Sequence, residues 1–525
     1  MTVVPPPEPV APRPEPVEGP STGSAHRPAV FGAIDIGASS GRVVAGVLDD
    51  DGLRLEVVHR FPNGATEVDG HLRWDLSGLF AEVLTGLAAL AARHPGVRSV
   101  GIDTWAVDYG LLDADGHLLA QPVAYRDDRT DAVVDLVHRR VDPARLYAVT
   151  GLQFLPFNTL YQLSAERQGP LWPRVAQALL LPDLLAYWLT GERRTEATNA
   201  STTGLLDAGT RTWSRELLEA LGLPLELFPP LVQPGETLGP LLPEVAARTG
   251  LAPGTTVVAV GSHDTASAVV GVPAEGRSFA YVSSGTWSLV GLELDAPVLT
   301  PASRAANFTN EGGVDGRTRY LRNEGGLWLL QESLRSWAGA GEPVDQDALL
   351  AEAAALPPGG PTFDVDAPDL IAPGDMPARI RRAVAASGQE LPGAPAAVAR
   401  SILDSLAVAY ARTTAEAEAL AGQTVDVVHV VGGGSRNALL CQLTADLSGR
   451  LVLSGPVEAT ALGNLAVQAR AAGLLPADLE SLRRTLRRGL TLATYTPTTT
   501  GRAARLSSSV TSSPGGRPAP VHRGG

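Results

Sequence analysis

The apolar pattern begins at 31–36, where a strand-like run is broken by one acid, Asp35, and followed by the small residues Gly37, Ala38, Ser39, Ser40 and Gly41. Arg42 and a second apolar run, 43–48, come next. Strand, small-residue turn, strand is the signature of a β-hairpin. Leu76, Leu79, Phe80, Val83, Leu84, Leu87 and Leu90 then fall three and four apart, the stripe of an amphipathic helix over 75–93. Residues 97–103, VRSVGID, read as a buried strand ending on Asp103, and Asp115-Gly116 is a hairpin turn signal. Between about 130 and 250 the pattern is mostly helix and loop. It includes an apolar loop at 154–159 and a polar loop at 196–203.

The second half repeats the plan. At 255–269, TTVVAVGSHDTASAV, a β-branched run stops at Gly261, and Ser262, His263, Asp264 and Thr265 occupy a turn that opens a helix. Residues 277–294 form a strand, a small turn (Ser283, Ser284, Gly285, Thr286) and another strand. A long helix is expected over 398–421, then strand, three glycines and helix over 425–443, and a further strand and helix from 450. The repetition suggests two related α/β domains facing a shared cleft. Chance similarity between glycine turns leaves duplication open on this evidence. The expected organisation is a Pro-rich disordered extension at 1–28, domains at 29–270 and 271–497, and a Ser/Thr/Pro/Gly-rich disordered tail at 498–525.

Composition narrows the function classes. The 525 residues are 44% hydrophobic and 19% charged, with a net charge of −14, which argues against a nucleic-acid or anionic-membrane surface. No lysine occurs, which excludes a Walker-A lysine, a protein-kinase strand lysine and Schiff-base chemistry. The single Cys441 excludes an intramolecular disulfide and a cysteine-rich zinc site. No apolar run is expected to reach transmembrane length and no signal-peptide pattern is present, so a soluble cytoplasmic protein, taken as a monomer, is the expectation.

The turns carry the candidate chemistry. The 37–41 turn is either a plain hairpin that needs glycine, or a cradle in which backbone N–H groups, two hydroxyls and Arg42 meet a polyphosphate, with Asp35 holding Mg²⁺ through water. Asp264 is either a helix N-cap or a base that takes a hydroxyl proton. His263 is either a core histidine or a ligand contact. Asp103 and Asp108 read as turn-stabilising acids outside the site. Trp105, Trp287 and Trp328 are either cleft aromatics against a ligand face or core side chains, the commoner place for them; residues 310–313 read as a turn near the cleft and His429 as a structural residue.

Taken together, DIGASSGRV, GIDTWAVD, PVAYRD, GLQFLPFNTLYQL, SHDTASAV, SSGTWSL, TNEGG, GLWLLQ, HVVGGGSRN and GPVEATALGN resemble the FGGY carbohydrate kinases over about 31–495. The resemblance implies two ribonuclease-H-like domains of the actin and hexokinase type that close on substrates in the cleft between them. It implies transfer of the ATP γ-phosphoryl group to the C1 hydroxyl of a ketose, L-rhamnulose by the motif match, in L-rhamnose degradation. By matching position, Ala38, Ser39, Ser40, Gly41 and Arg42 would face the ATP phosphates with Asp35 as Mg²⁺ anchor, and Thr286, Gln331 and Gly433 would contact ATP. Ala106, His263, Asp264, Thr265 and Asn323 would line the sugar site, with Asp264 as proton acceptor. The family pattern has glycine where this chain has Ala106, so L-fuculose, L-xylulose or xylulose kinases remain alternatives. An actin-like ATPase would share the hairpins but has no use for a polar pocket such as SHDT. A sugar-sensing repressor would need a DNA-binding module that the Pro-rich N-terminus does not supply.

Overall fold

The computed structural model describes residues 28–498. The expected disorder of the two ends therefore falls almost wholly outside the described residues. Strands β1 (Ala29–Ile36), β2 (Ser40–Asp49) and β3 (Gly52–Pro62) form an antiparallel meander. Helix α1 (Leu76–Arg93) follows, and β4 (Val97–Thr104) returns parallel to β1. With β5 (Thr237–Pro240) and β6 (Thr256–Val258) these make a six-stranded sheet in the order β5-β6-β4-β1-β2-β3. β1 is buried along its whole length, as a central strand with covered faces must be, which explains its continuous apolar run.

Helix α1 starts where the Asp75 carboxylate accepts from the Gly78 N–H at 2.9 Å, an N-cap. Its stripe of Leu76, Leu79, Val83, Leu87 and Leu90 is buried against the sheet. Contrary to expectation, this helix is long and apolar enough to span a membrane by length and composition, at 18 residues and mean hydropathy 1.4. The sheet takes up its apolar stripe, as for a core helix.

Residues 109–228 add a largely helical insertion with its own core, including Leu146, Leu163, Leu205 and Leu217. The expected polar loop at 196–203 is instead a buried short helix, α2 (Ala197–Ala200), continued by a turn of 3₁₀ helix. Most of its polar groups are inside because they are bonded to Glu196 or to backbone carbonyls of the same segment. Glu196 accepts from the N–H groups of Thr198 and Asn199 and from the Thr198 hydroxyl.

Helix α3 (Asp264–Val270) leads into the second sheet. Strands β7 (Phe279–Ser284), β8 (Trp287–Leu294), β9 (Thr309–Gly312) and β10 (Thr318–Gly325) are followed by α4 (Trp328–Gly339) and α5 (Pro395–Ala421). Then come β11 (Val427–Val431), α6 (Ala438–Ser448), β12 (Leu451–Ser454), α7 (Ala459–Ala471) and β13 (Ala493–Tyr495). The order in the sheet is β9-β10-β8-β7-β11-β12-β13. As in the first sheet, an antiparallel hairpin is extended by parallel strands, so the repetition seen in the sequence recurs in the connections. The expected turn at 310–313 is mostly the strand β9.

The halves interlock. Helix α7, late in the chain, packs on β1 and β4 of the first sheet and crosses α3. Gln468 of α7 donates to the Gly32 carbonyl at 2.9 Å and accepts from the Ser99 hydroxyl at 2.7 Å.

Candidate active site

The ends of β1 and β4 bring two acids side by side. Asp35 and Asp103 are partners in the parallel register, and both strands deliver them, buried, toward α7. Asn464 of α7 donates to Asp103 Oδ2 at 2.5 Å, while Asp103 Oδ1 is buried without a hydrogen-bond partner. Asp35 Oδ2 accepts from Arg42 Nε at 3.0 Å and Nη2 at 2.6 Å. Arg42 also pairs with Glu458, the residue before α7. Burial pushes the Asp35 carboxyl above its usual range; Arg42 offsets part of this, and Asp264 and Glu458 add to it. Burial and the Asp35 charge drive Asp103 well above the usual range, with a smaller contribution from Asp264.

Asp103 was set aside in the sequence as a turn-stabilising acid. The signal that finds it is its place at the end of a buried strand, in register with Asp35. Carboxylate oxygens suit Mg²⁺, a hard cation. The hydrogen bonds to Asp35 fall on Oδ2 and Asp103 Oδ1 is buried without a partner, so each of the two register-paired carboxylates keeps an oxygen suited to such a cation. Asp108 is structural: it accepts from Trp74, Trp105 and Gln162 side chains and from the Tyr125 N–H.

The turn between β1 and β2 is tight. The Gly37 N–H donates to the Ser40 carbonyl at 2.9 Å, and Asn63 braces the turn by donating to the carbonyls of Gly37 and Ser39. Ser39 and Ser40 are exposed, whereas the Arg42 guanidinium is engaged by Asp35 and Glu458.

His263 and Asp264 sit where the first sheet meets α3. The Thr104 N–H donates to the Ser262 carbonyl at 2.9 Å, which ties this turn to the end of β4. Asp264 is the first residue of α3 and makes no capping bond to the helix; the Ncap position is His263. The carboxylate accepts from the Thr265 hydroxyl at 3.0 Å, lies 3.5 Å from His263 Nε2 and is 32% exposed. The capping alternative is therefore not what the side chain does.

Ala106 follows β4 in a strained turn. The Asp108 N–H donates to the Ala106 carbonyl at 3.0 Å around Val107, whose φ is +67°. A positive φ inside a three-residue turn is rare and costly for a β-branched residue. Thr159 and Gln162 hold it by donating to the Val107 carbonyl.

Thr286, Gln331 and Gly433 all lie in the second half. Thr286 lies in the β7–β8 turn, and its carbonyl accepts from the Trp328 N–H at 3.2 Å, so the turn abuts α4, which carries Gln331. The glycine turn after β11 lies against the same strand end, since a Cβ on Gly434 would come 2.0 Å from Ser284 Oγ. A Cβ on Gly433 would meet nothing within 4 Å, which leaves open space for a ligand beside the backbone. Asn323 of β10 is held by Gln153 from the first half: its N–H and side-chain amide donate to Gln153 Oε1 at 2.9 and 3.1 Å.

Trp105 is buried, as expected of a core residue, but Trp287 and Trp328 are half-buried around a cation. The Arg126 guanidinium lies 5.7 Å and 5.1 Å from their ring centres and donates to the Ile371 carbonyl. His429 is buried in β11, edge-on to Phe279.

Two family models match the chain: the N-terminal domain of the FGGY family of carbohydrate kinases over 30–271, and its C-terminal domain over 280–472. The chain is 42% identical over 469 residues to a protein of Bacteroides thetaiotaomicron named rhamnulokinase, covering 89% of this chain and 96% of the relative. It is 45% identical over 469 residues to one of the same name from Pectobacterium carotovorum subsp. carotovorum, covering 89% and 92%. Among solved structures it is similar to gluconate kinase from Lactobacillus acidophilus, with a TM-score of 0.75 at 17% identity, covering 92% of this chain and 96% of the other.

Proposed function

The chain belongs to the FGGY family of carbohydrate kinases, and from that premise we propose that it transfers the γ-phosphoryl group of ATP to the C1 hydroxyl of L-rhamnulose, giving L-rhamnulose 1-phosphate and ADP. The names of the 42% and 45% identical relatives support the ketose. The observation that carries the chemistry is the Asp264 carboxylate, part-exposed at the start of α3 and spent on no helix cap.

Phosphoryl transfer is mainly a matter of in-line positioning and charge neutralisation. Asp264 takes the C1 hydroxyl proton as the phosphoryl group arrives. Ala106, His263, Thr265 and Asn323 orient the sugar. Ala38, Ser39, Ser40, Gly41 and Arg42 face the phosphates, and Thr286, Gln331 and Gly433 meet the rest of ATP. Asp35, with Asp103 beside it, holds Mg²⁺, which when bound neutralises phosphate charge. The domains, 29–270 and 271–497, close over both substrates. The enzyme is cytoplasmic and monomeric in this proposal.

Ala106, where the family pattern has glycine, favours a second reading in which another ketose is preferred. A coupled ADP-release assay over L-rhamnulose, L-fuculose, L-ribulose, L-xylulose, D-xylulose and glycerol decides between them. The highest kcat/KM is expected for L-rhamnulose. A higher value for another ketose overturns the substrate, and ATP turnover indifferent to every sugar overturns the kinase reading.

A further inference from the structure

Arg319 lies on β10, in the second half of the chain, yet its guanidinium ends on His263 of the first half. Its side chain is 0% exposed. Nε donates to the Gly312 carbonyl at 2.9 Å, Nη1 lies 2.9 Å from Glu311 Oε2, and Nη2 lies 3.1 Å from His263 Nδ1. Glu311 and Arg319 are cross-strand partners of β9 and β10, so the sheet itself sets this geometry.

A guanidinium nitrogen can only donate. In the Nη2–Nδ1 contact the imidazole nitrogen is therefore the acceptor, and the ring hydrogen of a neutral imidazole is left for Nε2. Glu311 Oε2 stands 3.2 Å from the same Nδ1. One ring nitrogen cannot both accept from Arg319 and donate to Glu311. Glu311 Oε2 makes no aligned hydrogen bond, whereas the Arg319 contact meets the geometry of one. A hydrogen on Nδ1 would also strip Nη2 of its acceptor where water does not reach. Glu311 has a separate task, to neutralise the buried guanidinium. Burial raises its carboxyl, but the Arg319 charge outweighs this and holds it below the usual range.

We propose that Arg319 is a positioning residue that fixes His263 as the Nε2–H tautomer. The imidazole then presents a donor rather than a lone pair on the side of Asp264, whose Oδ1 lies 3.5 Å from Nε2. The partner it selects is an oxygen: the Asp264 carboxylate in the free protein, and a hydroxyl or carbonyl oxygen of the bound ketose. The tautomer stands on the free protein alone; its use on the ketose rests on the reading of His263 as a sugar contact.

The test is ¹⁵N NMR of the full chain labelled at histidine, with His263 identified by the signals lost in His263→Gln. The expected wild-type spectrum has an unprotonated Nδ1 and a protonated Nε2, and a protonated Nδ1 overturns the proposal. Arg319→Met/Glu311→Met removes the buried charge pair together and puts no new donor beside Nδ1, so neither partner is left alone. In it the tautomer should shift, and the ketose KM should rise roughly twofold to tenfold, as for a lost neutral hydrogen bond, with the ATP KM unchanged. Arg319→Lys keeps a donor and should restore part of the loss. An unchanged tautomer in a folded double variant also overturns the proposal. A shifted tautomer with an unchanged ketose KM supports it and overturns the sugar-contact reading instead. Should the double variant melt early, the wild-type spectrum still decides.

Discussion

Gly463→Ala is expected to force apart the helix crossing on which the site is built. Gly463 sits in α7 where that helix crosses α3. A Cβ there would lie 1.8 Å from the Ser267 carbonyl oxygen and 2.8 Å from the Ser267 carbonyl carbon, both backbone atoms. Gly271 makes the reciprocal approach, 2.3 Å from the Ala459 carbonyl oxygen. No side-chain rotation relieves this. Reaching even 3.0 Å from the Ser267 oxygen requires a separation of about 1.2 Å. That gap loosens contacts along the whole crossing, where Ala459, Leu462 and Ala466 are buried. Overpacking costs ~1–3 kcal/mol, and backbone on both sides argues for the upper end. A loss of that size lowers Tm by roughly 5–10 °C in a large domain. Helix α3 begins with Asp264 and α7 carries Asn464, which holds Asp103, so kcat should fall as well, by up to about 10²-fold for a displacement near 1 Å. Melting curves and coupled ADP release read both effects. Gly339→Ala, at the end of α4 with nothing within 4 Å of the added Cβ, is the control and should be neutral or slightly stabilising. A Gly463→Ala protein that melts within about 1 °C of wild type with full turnover would refute the reasoning, since overpacking of this kind shifts Tm by more.

Two further substitutions test other parts of the account. The Asp183 carboxylate accepts from the Glu196 N–H at 3.1 Å and leaves Oδ2 buried and unpartnered; burial, then Glu196, pushes its carboxyl well above the usual range. A raised folded pKa gives no penalty below the unfolded value of about 3.9, and a growing one as pH rises through the folded value. Asp183→Asn should therefore gain more Tm over wild type at pH 8 than at pH 5; an equal shift at both pH values would contradict this. Ala106→Gly should change ketose KM or preference by on the order of 1 kcal/mol with ATP affinity unaltered, and identical kinetics across the ketose panel would remove residue 106 from the sugar site.

The hairpins, α1, α3, α6 and α7 were legible in the sequence because each element's period and its small-residue turn are local properties. What lies across the chain was not. Asp103 looks like any strand-end acid until the β1–β4 register puts it beside Asp35. Arg319 carries no mark in the sequence of its contact with His263, because that contact needs β9 and β10 brought up against the turn before α3. Residues 196–203 looked like a loop because polar content was taken for exposure, whereas their hydroxyls donate inside to Glu196 or to backbone carbonyls of the same segment. Trp287 and Trp328 looked like core because large aromatics usually are, but both are half-buried, with the Arg126 guanidinium over their rings.

The central claim is that Asp264 is the base, and kcat of Asp264→Asn, measured beside its ATP Kd and melting curve, tests it most directly. The wild-type carboxylate caps no helix, and its contacts with the Thr265 hydroxyl at 3.0 Å and His263 Nε2 at 3.5 Å are ones an amide oxygen can still make, so the amide should leave the fold intact. The β1–β2 turn and the glycine turn after β11, which the proposal assigns to ATP, are unaltered, so ATP should still bind. An amide cannot take the hydroxyl proton, and turnover should fall by roughly 10²–10⁴-fold. A fall of less than about threefold in a protein that melts normally and binds ATP would contradict the account, because the loss of a positioned base is far larger.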